Sequence, residues 1–157
     1  QTKKKGKVMK LKGLLFVLLL TVLTVSTSTA QFQISGTVGY GAKINKNLDY
    51  SLYQSTVTSS LQQKIDKFSI IAQGMSINSD STIDFYGGLK LSYDFWAKKN
   101  KSLAITAHGL IGEEGKKLSG LGLIYTVDRM SLIADVSQEY KNKELFLNLG
   151  IGYAFLQ

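Results

Sequence analysis

The chain has 157 residues, with 19 Lys and Arg against 11 Asp and Glu, a single histidine, and neither cysteine nor proline. Without cysteine, disulfide scaffolds and thiolate metal sites are excluded, so a domain of this size rests on packing, backbone pairing or its solvent. The basic excess is local: six lysines precede Gly13, and beyond residue 30 the balance falls to 13 bases against 11 acids, too even for a nucleic-acid-binding stripe.

The chain starts with a targeting pattern. "MKLKGLLFVLLL" opens at Met9, the apolar run extends from Leu14 to Val25, and "STSTA" supplies the small residues Ser28 and Ala30. A basic start, a short apolar core and a small-x-small ending read as a helical secretory signal peptide cleaved before Gln31. A retained anchor is the competing reading, but twelve apolar residues fall short of the roughly 20 needed to cross a bilayer as a helix. Residues 1–8 read as an upstream extension and take no part in the expected fold. The expected organisation is therefore 1–30 as extension and signal peptide, and 31–157 as one domain.

From Gln31 the chain alternates with period two, the mark of strands whose successive side chains point to opposite faces. Phe32, Ile34, Val38, Tyr40, Ala42 and Ile44 share one parity, opposite Gln33, Ser35, Thr37, Gly39 and Gly41. Residues 48–78 are less regular: "LDYSLYQSTVTSS" and "KFSIIAQGMSI" read as strands joined by "LQQKID", a candidate helical turn. In "TIDFYGGLKLSYDFW", Ile83, Phe85, Leu89, Leu91, Tyr93 and Phe95 alternate with Asp84, Tyr86, Gly88, Lys90, Ser92 and Asp94. "SLAITAHGLIG" has the same period and places His108 on the small, polar side; pairing with the preceding strand about Lys99 sets Lys90 near it.

A hairpin about Asp128 and Arg129 pairs Val127 with Met130, Tyr125 with Leu132, Leu123 with Ala134 and Leu121 with Val136 on one face. On the other, it pairs Thr126 with Ser131, Ile124 with Ile133, Gly122 with Asp135 and Gly120 with Ser137. One register sorts both faces, whereas a one-residue slip would invert them. The last strand sets Leu145, Leu147, Leu149, Ile151, Tyr153 and Phe155 against Phe146, Asn148, Gly150, Gly152 and Ala154. Eight strands result, near 32–44, 48–58, 67–77, 82–96, 102–112, 117–127, 130–140 and 143–155.

Eight antiparallel strands suit either a soluble barrel with its apolar face inward or a membrane barrel with that face outward. The second face decides. A water-facing wall should be rich in Lys, Glu and Gln, but this one is largely Gly, Ser, Thr and Ala, residues that fit the narrow inside of an eight-stranded barrel. Charges gather in "KINKN", "AKKNK", "GEEGKK" and "EYKNKE", all connections, and aromatics recur near strand ends, as in a membrane–water girdle. The expected fold is all-β: an eight-stranded antiparallel transmembrane up-and-down barrel.

These features resemble the small outer-membrane β-barrel proteins of Gram-negative bacteria, the OmpA/OmpX-type class. The closing segment resembles the C-terminal signal read by the barrel-assembly machinery, here Asn148, Gly150, Tyr153 and Phe155, although Leu156 and Gln157 come after the aromatic. The resemblance covers the mature chain in pattern only. It implies residence in the outer membrane after export, contact with outer-membrane lipid and lipopolysaccharide, a monomer, and a structural or interactive role in the cell envelope with short outer loops.

Asp84, Lys90, Asp94, His108, Asp135 and Glu139 share the interior parity, and buried charges need partners, so they are expected to form a polar network in the lumen. No catalytic, cofactor-binding or metal-binding residue is expected, and no cofactor. Acyl chemistry on lipid A would need a nucleophile beside His108, and "ITAHGLIG" supplies no adjacent serine. A narrow channel, a lipid-modifying outer-membrane enzyme and a soluble periplasmic lipocalin-like barrel holding an apolar ligand are the alternative functions.

Overall fold

The computed structural model describes residues 31–79 and 82–156; the predicted leader, 1–30, lies outside the described residues. Eight strands run in order: β1 (Gln31–Ile44), β2 (Tyr50–Ile65), β3 (Phe68–Ser79), β4 (Thr82–Lys98), β5 (Lys101–Gly112), β6 (Lys117–Val127), β7 (Met130–Glu139) and β8 (Glu144–Leu156). Each pairs antiparallel with its neighbours and β8 returns to β1, closing the barrel. Among the described residues the helical content is one 3-10 turn, Glu113–Gly115, between β5 and β6.

Closure also fixes the stagger. Stepping across paired residues from Gln33 leads through Gln62, Ile71, Lys90, His108, Gly120, Ser137 and Phe146 and back to β1 at Lys43, ten residues from the start. A shear of that size tilts strands by roughly 35–45° from the barrel axis. All these residues face inward, so the lumen is lined by a rising spiral of side chains.

The β6–β7 register is the one the alternation specifies, from Val127–Met130 to Gly120–Ser137, and Lys90 pairs with His108. The β2 region departs from expectation. "LQQKID" holds no helical turn: β2 runs to Ile65, and the reversal is the two residues Asp66 and Lys67. Two causes hide this strand. A bulge between Val57 and Ser60 adds one residue to β2 against both neighbours and reverses its parity. In addition, Gln54, Thr56, Ser76 and Asn78 fall on the outward parity of β2 and β3, so the two faces contrast little.

The three reversals at the end of the barrel where the described chain starts and finishes each put their first residue in the left-handed region: Asp66, Lys99 and Asp128 at φ 55, 52 and 53. None is glycine. Aspartate tolerates this conformation better than most residues because its short side chain bonds locally, which accounts for two of the three. This is the terminal end of the barrel. The opposite, loop end carries the β1–β2, β3–β4, β5–β6 and β7–β8 connections.

The faces sort as their composition demands. Leu149 is 69% exposed, Leu121 58% and Ile151 56%, while Ser55, Ser92, Thr106, His108 and Ser137 are buried inside. Phe68 and Tyr93 meet at 4.8 Å and Tyr153 and Phe155 at 5.5 Å on the outer wall near the terminal end, part of an aromatic band. An outward apolar wall of this size would be a severe liability in water and matches a hydrocarbon solvent.

Leu121→Arg puts a cation midway along that wall, and we expect it to lower unfolding free energy in lipid bilayers by about 2–4 kcal/mol in urea titrations. A change within experimental error would place Leu121 away from hydrocarbon.

Candidate functional site

The interior has two unlike halves. Toward the loop end, Tyr53, Ile77, Tyr86, Leu110, Leu118 and Phe146 form a buried apolar cluster, with Met75 packed against it. Each lies within a few residues of its strand's loop-end terminus. Tyr53 and Phe146 meet edge to face at 5.4 Å, and the Tyr53 hydroxyl donates to the Leu147 carbonyl at 3.2 Å. This cluster plugs the barrel. Toward the terminal end lies a cavity of about 790 Å³ whose wall mixes serines, glutamines and charged groups with aliphatic side chains such as Ile71, Ile124 and Ile133, reaching the turn residues Asn100 and Arg129. None of the six plug residues lines it, so the lumen is a blind vestibule, open at one end.

A hydrogen-bonded chain sits between the halves. His108 Nε2 and Ser137 Oγ are 2.9 Å apart, Ser137 Oγ donates to Asp135 Oδ1 at 3.3 Å, and Asn148 Nδ2 donates to Asp135 Oδ2 at 3.1 Å. Ser55 Oγ then donates to Asn148 Oδ1 at 2.9 Å. The chain joins β5, β7, β8 and β2, and twice it passes over an intervening strand. His108 reaches Ser137 across Gly120 of β6, and Ser55 reaches Asn148 across Gly39 of β1. A Cβ on Gly120 would lie 2.6 Å from Ser137 Oγ and against the Val136 carbonyl; one on Gly39 would lie 2.6 Å from Asn148 Oδ1 and 2.7 Å from Ser55 Oγ. Glycine on the inward face is what lets side chains two strands apart meet.

The six predicted lumen residues divide among separate sites. His108 and Asp135 belong to the central chain. Lys90 is beside it, 7% exposed, and Asp135 is the carboxylate whose field reaches it. Asp94 pairs with Lys64 at 2.5 Å in the vestibule, and Asp84 with Lys116 at 2.5 Å near the loop end. The hydrogen bond to Asp84 holds the Lys116 ammonium above the usual lysine range. Glu139 is fully buried and accepts the backbone N–H groups of Lys141 and Asn142 at 2.8 and 2.7 Å, fixing the β7–β8 reversal.

Of the C-terminal signal residues, Asn148 and Gly150 face the lumen, while Tyr153 and Phe155 lie on the outer wall.

The serine missing beside His108 in sequence is supplied by β7. Ser137 and Ser55 do not stand out in the sequence, although the Gly120–Ser137 register carries the signal: pairing Gly120 with His108 brings the two together. In this pair the imidazole Nδ1 has no hydrogen-bond partner among the described residues, and Asp135 binds the serine rather than the histidine. A nucleophilic triad needs the carboxylate on the far side of the imidazole, and here it lies on the serine's side instead.

Gly120→Ala is expected to cost about 1–3 kcal/mol of barrel stability by overpacking, whereas Gly109→Ala, on the outer face with nothing within 4 Å of its Cβ, should change stability by less than about 0.5 kcal/mol. Parallel urea titrations of the two variants check this.

No protein-family model and no curated protein matches the chain in sequence. Its fold does match solved structures. Neisserial surface protein A superposes with a TM-score of 0.56 at 13% identity, over 82% of this chain and 100% of that one. A de novo designed transmembrane β-barrel gives 0.52 at 15% identity, over 78% of this chain and 94% of that one. A second design, solved by NMR, gives 0.54 at 11% identity, over 83% and 100%. The likeness is one of architecture: closed sheet, eight strands and outward apolar wall give this chain the fold of the small eight-stranded outer-membrane barrels.

Proposed function

We propose that this protein resides in the bacterial outer membrane as a monomeric barrel with a structural or interactive role, its terminal end toward the periplasm and its short loops outside. The observation that carries this reading is the outer wall. From Val38 and Leu89 round to Leu149, large aliphatic side chains stand exposed in a band bordered by aromatics, a surface that lipid covers and water does not. Lipid and lipopolysaccharide are then its standing partners, and the barrel-assembly machinery its partner during insertion. The soluble-binder alternative needs the apolar face inside, the reverse of this wall.

A through-channel fits poorly, because the plug of Tyr53, Tyr86, Leu110, Leu118 and Phe146 fills the loop-end half of the lumen. Such a barrel acts through what it spans and displays.

Cell fractionation with heat-modifiable gel mobility tests location and barrel together. The expected result is recovery with the outer membrane, extraction only by detergent, and faster migration before boiling; recovery in the soluble periplasm overturns the proposal. In planar bilayers the wild-type barrel is expected to give no steady conductance, and Tyr86→Ala combined with Phe146→Ala to open ion-conducting steps. Steady wild-type conductance would revive the channel reading.

A further inference from the structure

We propose that the vestibule is a binding site for a small oxyanion, carboxylate or phosphate, held at its blind end by Lys90. The other inward lysines provide the contrast. Lys64, Lys116 and Lys43 each sit on a carboxylate, at 2.5, 2.5 and 3.1 Å, with side chains 35, 19 and 26% exposed. Lys90 is more deeply buried than any of them, yet among the described residues no hydrogen bond or ion pair forms at its ammonium. The acid nearest in effect, Asp135, is already committed to Ser137 and Asn148. The Lys90 side chain is almost wholly enclosed but lines the cavity, and an anion that reaches its ammonium there gains charge-assisted hydrogen bonds and supplies the missing close counter-charge.

The vestibule is built to deliver one. Lys90 lines the cavity, together with Ser92, two residues along the same face of β4, and with Gln73, whose strand neighbour is Gly88. Hydroxyl and amide groups donate to oxyanions without adding charge. The mouth is ringed by Lys99, Lys101 and Arg129, and around the whole cavity five cationic side chains oppose three carboxylates, Asp94, Asp128 and Asp135. Asp94 is paired with Lys64, and at the mouth Lys99, Lys101 and Arg129 outnumber Asp128, so the positive surplus stands at the rim, where it draws an anion in toward Lys90. A cavity of about 790 Å³ lies in the range of small-molecule sites and far exceeds one anion, leaving space for the organic body of a carboxylate or phosphate ester. The plug closes the other end, so a ligand enters and leaves through the terminal mouth.

The test uses the full chain refolded in detergent micelles, with inorganic phosphate and acetate as separate probes and backbone amide NMR shifts as the readout. The expected result is a saturable shift centred on Lys90, Ser92 and Asp135 with at least one probe. Affinity should fall about tenfold or more in Lys90→Gln, as loss of a charge-assisted contact implies, and stay unchanged in Lys116→Gln. Tighter binding of acetate assigns a carboxylate ligand, and of phosphate a phosphoryl ligand. Should Lys90→Gln fail to fold, Asp135→Asn carries the test: removing the competing carboxylate should tighten binding. No saturable shift with either probe, wild-type affinity in Lys90→Gln, or unchanged or weaker binding in Asp135→Asn overturns the proposal.

Discussion

Closure of the backbone hydrogen-bond ladder is the constraint on which the rest of this molecule depends. In hydrocarbon an unpaired N–H or C=O has no water to turn to, so a sheet that crosses a membrane must have no edge. Pairing of β1 with β8 removes the edge, and the return of the pairing path to β1 ten residues along fixes stagger and tilt together. Once these are set, the face and depth of every residue are set with them. Local adjustment comes at bulges: the one in β2 takes up one residue and reverses the parity of the residues beyond it, and further register shifts lie between Asp94 and Trp96 of β4 and between Ile34 and Ser35, where β1 meets β8.

Closure at eight strands leaves a narrow interior, and small inward residues convert that limit into connectivity. Gly39, Gly41 and Gly120 leave room over their strands, so Ser55 meets Asn148, Tyr53 meets the Leu147 carbonyl, and His108 meets Ser137. The first two links cross β1, the strand that closes the barrel, and add side-chain bonds between β2 and β8 to the backbone ladder. Substituting any larger residue there would set two neighbours apart as well as crowd the lumen.

The interior also divides into a packed half and an open one. Aromatic and aliphatic groups fill the centre of the loop-end half, while hydroxyls, amides, charged groups and aliphatic side chains together line the half that opens at the terminal end. The His108–Asp135–Asn148 chain is the floor between them. A lumen so divided keeps a chamber of appreciable size open at the terminal end only, with Lys90 at its floor.

Strand period, the eight-strand count, the outward direction of Leu and Ile and the inward direction of Asp84, Lys90, His108 and Asp135 were all legible in the residue order, because in a strand a side chain's face depends only on parity. The β6–β7 register was legible too, since a single pairing satisfies both faces. Residues 50–79 resisted for the same reason: Gln54, Thr56, Ser76 and Asn78 weaken the contrast between faces, and a bulge moves the parity midway. What only the tertiary structure decided was who meets whom across non-adjacent strands. His108 and Ser137 are 29 residues apart, and their contact requires both the β5–β6 register and a glycine between them. Parity can place the six polar groups in one lumen, but shear sets their depth, and depth splits them among the loop end, the central chain and the vestibule.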